Sequence, residues 1–232
     1  MNIPHDIRYP TTMIDVWRLR NGARVTLRPI LPQDGPLLGD MLTRLSPAAR
    51  HHRFHGGVRS VTPAQLAQLS AVDYRRHVAF VITASAPSGE QVIAEARYCV
   101  DAEGADDSAE FALVVDDRWQ RRGLGLRALD TLAESAAAAG LRWLRGSVLA
   151  HNRPMLALLR RCRFHCIGDG SSAGVVQVEA ALRPHAPPVT LAPHAVLDRV
   201  ASWWRWRRDD RWRPVGSPRD PATHDRHPSA NF

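Results

Sequence analysis

The chain has 232 residues, of which 44% are hydrophobic and 23% charged, and a formal charge of +8. That length suffices for one domain with a sizeable core plus an appendage, in an ordinary globular composition. No apolar run is long enough for a transmembrane helix, and Met1 to Asp6 lacks the regions of a secretory signal. Cys99, Cys162 and Cys166 lack CxxC spacing, which speaks against a disulfide framework or a zinc site and for a reducing cytoplasm. All 31 basic residues are arginine. Such a positive balance permits acidic partners, nucleotides included, and specifies none.

The first predicted element is a hairpin. Trp17 and Leu19 alternate with polar residues, Asn21-Gly22 supplies a two-residue turn, and Ala23, Val25 and Leu27 alternate again. Pro29 and Pro32 end the second strand. Asp34 is placed to cap a helix carrying Leu37, Leu38, Met41, Leu42 and Leu45, and short helices are expected from Pro47 and from Pro63. Three strand-like runs follow, Val78 to Ala84, Gln91 to Val100 and Ala109 to Val115. The turn-rich residues 86–89 and the acidic stretch 101–107 separate them, as in an antiparallel meander. The period then changes. Leu129, Leu132, Ala133 and Ala136 recur at helical spacing until Gly140. Trp143 to Leu149 reads as a buried strand. Asn152 caps a helix with Pro154 in its first turn and an apolar stripe of Met155, Leu158, Leu159 and Cys162. A strand from Val175 to Leu182 closes the domain, so the class is α+β with a mixed sheet. The last 50 residues hold eight of the 17 prolines, four of the seven tryptophans and nine arginines against five aspartates. Residues 183–232 are therefore read as a flexible tail, with a short helix at 193–208.

Glu110 to Ala128, EFALVVDDRWQRRGLGLRA, carries the chemistry. A strand runs into Gln120-Arg121-Arg122-Gly123-Leu124-Gly125, and a helix follows. Such a loop aims successive backbone N–H groups at one point, where the helix dipole favours phosphate oxygens. Glycine is required where a side chain would block the pyrophosphate, and Arg121, Arg122 and Arg127 add charge-assisted hydrogen bonds. Residues 123–128 also spell GxGxxA, a dinucleotide-binding variant. That reading needs a parallel βαβ unit with an acid ending its second strand, and Trp143 to Leu149 runs instead into Ala150-His151-Asn152.

The loop matches the Q/R-x-x-G-x-G/A acetyl-CoA signature, and the chain resembles the GNAT (GCN5-related N-acetyltransferase) superfamily. Arg28-Pro29-Ile30, Leu45-Ser46-Pro47, Arg53-Phe54, Ala109-Glu110-Phe111-Ala112 and Asn152-Arg153-Pro154-Met155-Leu156 extend the likeness to Pat-like bacterial protein lysine acetyltransferases, over residues 14–182. The resemblance implies a GNAT fold, α+β, with a mostly antiparallel sheet, a splayed central strand pair and flanking helices. It implies acetyl-CoA as co-substrate, a protein lysine as acceptor and no metal. Backbone groups at Val114 and Val115 are expected to pair with the pantetheine arm, and N–H groups of Arg121 to Leu126 to hold the pyrophosphate. Asn152 is expected near the sulfur, in addition to its capping role. Glu110 matches the general base, with Glu95 in reserve. A lysine acetyltransferase without lysine cannot acetylate its own side chains.

Two departures stand out. Cys162-Arg163-Phe164 replaces the usual Leu-Gly-Phe, and the helix after Asn152 has no Tyr to protonate the leaving thiolate. Asp116 and Asp117 are expected to be solvated or to attract a basic substrate. His51 and His55 would share a helix face, as metal ligands can, but there is no HExxH and no obvious third ligand, so the cluster of His51, His52 and His55 is expected on a polar helix surface. The remaining readings are a small-molecule amine acceptor, a non-catalytic acyl-CoA sensor, and a tail that binds an anionic membrane or single-stranded nucleic acid through Trp and Arg.

Overall fold

The hairpin forms from β1 (Asp15–Arg18) and β2 (Arg24–Pro29), but its turn differs from the expected two-residue one. Arg18 pairs with Arg24, Leu19 N–H donates to the Ala23 carbonyl and Gly22 N–H to the Leu19 carbonyl. The loop therefore spans Arg20 to Gly22, with Gly22 at φ 82° in the left-handed position that a three-residue hairpin assigns to glycine. In the computed structural model of the protein the described residues are 9–56, 60–87, 89–100, 107–167 and 174–182. The chain divides after His194, and every described residue lies in the first part. The tail at 183–232 and its helix at 193–208 lie outside the described residues.

Three short helices follow, α1 (Gly35–Arg44), α2 (Pro47–Phe54) and α3 (Pro63–Ser70). Each has a proline in its first turn, where the missing N–H costs nothing. Ser46 and Thr62 cap α2 and α3 by accepting from the N–H groups three residues on. Asp34 does not cap α1. It is buried, accepts the Leu31 N–H at 2.7 Å, and binds both Nη atoms of Arg28 at 2.7 and 2.8 Å, tying β2 to the helix.

The meander is β3 (His77–Ala86), β4 (Gly89–Val100) and β5 (Ser108–Val115). Then come α4 (Leu124–Ala138), β6 (Trp143–Leu149), α5 (Arg153–Arg161), β7 (His165–Ile167) and β8 (Val175–Ala181). Among the described residues the strands form one sheet in the order β1-β2-β3-β4-β5-β6-β8-β7, with β5–β6 the parallel pair and the rest antiparallel. Leu27, Phe80, Ile82, Ile93, Leu129 and Leu132 are almost wholly buried. Each such side chain stabilises the fold by roughly 1.5–3 kcal/mol. The helical period predicted after Gly125 is the face that α4 buries, through Leu124, Ala128, Leu129, Leu132 and Ala136.

The two faces of β5 carry different partners. A methyl group on Gly125 of α4 would lie 3.7 Å from Leu113 and 3.8 Å from Val115, so α4 covers their face. Glu95 and Arg97 of β4 stand opposite Val114 and Ala112 and point to the other face. There Arg53 of α2 reaches Glu95, and Arg97 donates to the Leu69 carbonyl of α3.

Candidate active site

β5 and β6 share three rungs, Ser108–Trp143, Ala109–Leu144 and Glu110–Arg145. Both strands continue, to Val115 and Leu149, without a further rung. A gap thus opens directly after Glu110, between two parallel strands that part. Backbone parity decides which groups line it. Asp116 N–H donates to the Ile93 carbonyl, and Val100 N–H to the Arg76 carbonyl. Alternation along the strands then turns the N–H and C=O of Val114 toward β4, and those of Leu113 and Val115 into the gap. Of the two valines expected here, only Val115 presents its backbone; Leu113 is the second residue that does so.

Gln120 ties the loop to the end of β5, its amide nitrogen donating to the Val115 carbonyl at 3.1 Å. Arg121 (φ 61°) and Gly123 (φ 86°) both adopt left-handed backbone and turn the chain into α4. The first helical bond runs from Arg127 N–H to the Gly123 carbonyl, so the N–H groups of Leu124, Gly125 and Leu126 have no acceptor inside the helix. A Cβ on Gly123 would meet nothing within 4 Å. The space a side chain would fill is therefore open, beside three convergent donors, and a diphosphate fits it. Gly125 plays a different part. Its Cβ would lie 3.1 Å from Leu158 Cδ2, so the missing side chain permits the close approach of α5.

The arginines divide. Arg122 lies over the Trp119 ring at 5.3 Å and donates to the Arg118 carbonyl. Arg127 is drawn away along the flank of α4, where its Nε donates to Asp15 at 2.7 Å and its guanidinium lies 5.6 Å over Trp17. In this arrangement Arg127 serves the hairpin rather than the loop. Trp17, Arg122, Gly123, Leu126, Arg127 and Asp130 line a shallow cavity of about 300 Å³ there.

Of the two aspartates before the loop, Asp117 is exposed, as expected, and Asp116 is not. Asp116 is fully buried, bonded to Arg44 at 3.1 Å and to Arg118 at 3.0 and 3.2 Å. Burial pushes its carboxyl up, but the hydrogen bonds from Arg118 and Arg44 outweigh this and hold it below the usual range. Asp117 accepts from Ser46 N–H and Oγ at 2.9 and 2.8 Å, which fixes the start of α2 over the end of β5. Asp116 is thus neutralised inside the fold, while Asp117 keeps an exposed side chain that anchors Ser46.

Glu110 is half-buried and stands opposite Cys99 of β4, on the face toward α2 and α3. Glu95 shares that face but is sealed at 2% exposure between Arg97 and Arg53. Burial pushes its pKa up, and the charges and hydrogen bonds of the two arginines bring it below the ordinary value. A carboxylate so held is a poor proton acceptor. Asn152, buried at 7%, caps α5 by accepting the Met155 N–H at 3.3 Å.

Residues 49–164, half of the chain, match the acetyltransferase (GNAT) family. The chain belongs to this family. An acetyltransferase of Pseudomonas aeruginosa is 31% identical over 160 residues, which cover 69% of this chain and 84% of that one. The acetyltransferase Pat of Mycolicibacterium smegmatis is 32% identical over 176 residues, 76% of this chain and 50% of the relative, so this GNAT chain spans about half of that protein. The solved GNAT domain of S. lividans PAT superposes with a TM-score of 0.67 at 25% identity, covering 75% of this chain and 100% of that domain.

The GNAT likeness also clarifies the departure at Arg163. It takes φ 64°, the backbone that the usual glycine would adopt. Arg163 N–H donates to the Arg160 carbonyl and Phe164 N–H to the Leu159 carbonyl, closing a Schellman cap with Leu159 and Phe164 buried against the core. The cap is kept, and the cost is a strained arginine.

Proposed function

We propose that this GNAT-family chain transfers an acetyl group from acetyl-CoA to an amine, a lysine on a protein, with Glu110 as general base. The observation that carries the reading is the gap that opens at Glu110 and leads to the donors at the start of α4. In this reading the N–H groups of Arg121 to Leu126 hold the diphosphate. The backbone of Leu113 and Val115 pairs with the pantetheine arm and brings the thioester toward Glu110, and Asn152 stands at the sulfur end. Acetyl-CoA supplies an activated acyl carbon. A lysine amine has a reference pKa near 10.4, so only roughly one in 10³ is nucleophilic at pH 7. Glu110, directly or through one water, removes the ammonium proton.

The protein-lysine assignment rests on the relatives whose names include Pat. A reducing, cytoplasmic setting suits Cys99, Cys162 and Cys166, all free thiols. Among the described residues no helix is long and apolar enough to cross a membrane.

The test is thiol release from acetyl-CoA with purified protein and a panel of lysine peptides, small amines and acyl-CoA synthetases. Release that needs a protein lysine supports the full reading. Release with small amines alone keeps acyl transfer and discards the protein acceptor. Tight binding without release under any condition replaces catalysis by acyl-CoA sensing.

A further inference from the structure

One row of side chains crosses four strands beside Glu110. Glu110 of β5 stands opposite Arg145 of β6, Arg145 opposite Glu179 of β8, and Glu179 opposite His165 of β7. Residues in register share a face of the sheet. Gly146 fixes the parity: a Cβ there would lie 2.6 Å from the Phe111 ring, so Gly146 and Phe111 occupy the opposite face together. Glu110, Arg145, Glu179 and His165 therefore point to one side, on strands about 4.8 Å apart.

That side is closed on one flank of Glu110 and open on the other. Toward β4, Cys99 is 4% exposed, and α2 and α3 reach over the strand through Arg53 on Glu95 and Arg97 on the Leu69 carbonyl. Toward β6, the Arg145 side chain is 50% exposed and that of His165 58%. An acceptor chain that brings an amine to Glu110 has room over β6 and none under the helices.

The open flank carries a prepared anion fork. Among the described residues that β6, β8 and β7 turn to this side, Arg145 is the one permanent cation. Its Nε donates to one oxygen of Glu179 at 3.1 Å, and the other oxygen of Glu179 lies 3.1 Å from His165 Nε2. Glu179, gripped at both oxygens, thus holds the guanidinium by its Nε. The two Nη groups have no partner among the described residues. Two parallel N–H groups on a fixed guanidinium match a carboxylate.

We infer that Arg145 selects the acceptor: its Nη groups bind the carboxylate of an Asp or Glu that lies two positions from the lysine presented to Glu110, with the acceptor chain laid over β6. This rests on the protein-lysine reading above and adds the neighbour that the lysine must have. The charges are complementary. The lysine ammonium meets Glu110 and the acceptor's carboxylate meets Arg145. The spacing agrees, because side chains on one side of an extended chain recur every second residue, roughly 7 Å apart. That span carries an acid from Glu110 past the neighbouring strand to the end of a long arginine side chain.

The test uses the full chain, acetyl-CoA and three synthetic peptides that share one lysine. They differ only at the positions two before and two after it, which are both Glu, both Gln or both Arg. Thiol release should give kcat/KM in the order Glu, Gln, Arg, about fivefold to tenfold per step at low salt, with the difference in KM and shrinking as salt is raised. Arg145→Gln should erase the preference for Glu, and Arg145→Glu should invert the order. A gain on the Arg peptide cannot come from a variant that fails to fold. Equal rates on all three peptides, or a Glu preference that survives in Arg145→Gln, overturn this assignment and leave acetyl transfer to lysine standing. Acetylation of none of the peptides overturns the protein-lysine acceptor itself, and this inference with it.

Discussion

Glu110 and Arg145 face each other across the last rung that β5 and β6 share. One residue further the strands share no rung, so Glu110 is the last residue of β5 paired with β6, and its side chain stands on the face toward α2 and α3. Glu110→Gln keeps the shape and loses the basicity. Turnover measured as thiol release is expected to fall at least ~10²-fold, with acetyl-CoA affinity by calorimetry unchanged. Near-normal turnover would remove Glu110 from the mechanism.

Gly123 separates binding from folding. Its φ of 86° penalises any side chain, yet a Cβ there meets nothing. Gly123→Asp places bulk and negative charge where the diphosphate is proposed to lie and is expected to abolish acetyl-CoA binding. Gly123→Asn has similar size and tolerates left-handed backbone, without the charge. The two variants should unfold within about 1 kcal/mol of each other in urea, while Asn binds measurably and Asp does not. Wild-type affinity in the Asp variant refutes the loop assignment.

Local chemistry makes much of this fold legible. The Pro-initiated helices, the cap at Asn152 and the period of α4 need only near neighbours, and each forms where the pattern places it. What the pattern does not reveal depends on distant partners. Asp116 is buried because Arg44, 72 positions away, meets it. The choice of Leu113 over Val114 follows from which carbonyl of β4 each N–H can reach. β7 is three exposed residues with no apolar alternation, held by pairing with β8. His151 carries no local signal at all; only the course of α2 over β5 brings His51 and His52 to it. The turn at Gly22 is one residue longer than expected because Asn-Gly suits two- and three-residue loops alike.

Arg163 predicts a gain. A left-handed arginine costs roughly 1–2 kcal/mol, and glycine relieves it at a smaller entropic cost in the unfolded chain. Arg163→Gly should stabilise the protein by about 1 kcal/mol and raise Tm by about 2–4 °C. Acetyl-CoA turnover should not change, because Arg163 lies beyond the end of α5 opposite Asn152. Differential scanning calorimetry checks it. An unchanged Tm would show that side-chain contacts of Arg163 already offset the backbone strain.

His77 predicts the pH dependence of stability. It is 5% exposed, and its Nε2 lies 3.0 Å from Arg97 Nη1. Arginine has no acceptor, so Nε2 accepts and the ring is neutral. Among the described residues its Nδ1 has no hydrogen-bond partner. Burial, and then the Arg97 charge, push the pKa from 6.5 down to about 3. Between those values the unfolded chain binds a proton that the native ring refuses. Stability therefore falls as pH drops from 6.5 toward 3, by up to about 1.4 kcal/mol per pH unit for one proton. Glu95 and Asp116 are depressed carboxylates, so they withdraw stability only at lower pH, below about 4. The lowered pKa of His52 acts in the same direction as that of His77 and is common to both proteins compared. Urea unfolding of wild type and His77→Gln at pH 7, 6, 5 and 4 isolates the effect. The wild-type curve should steepen relative to the variant by nearly one proton, whereas parallel curves would mean that His77 takes up its proton in the native state as readily as in the unfolded chain.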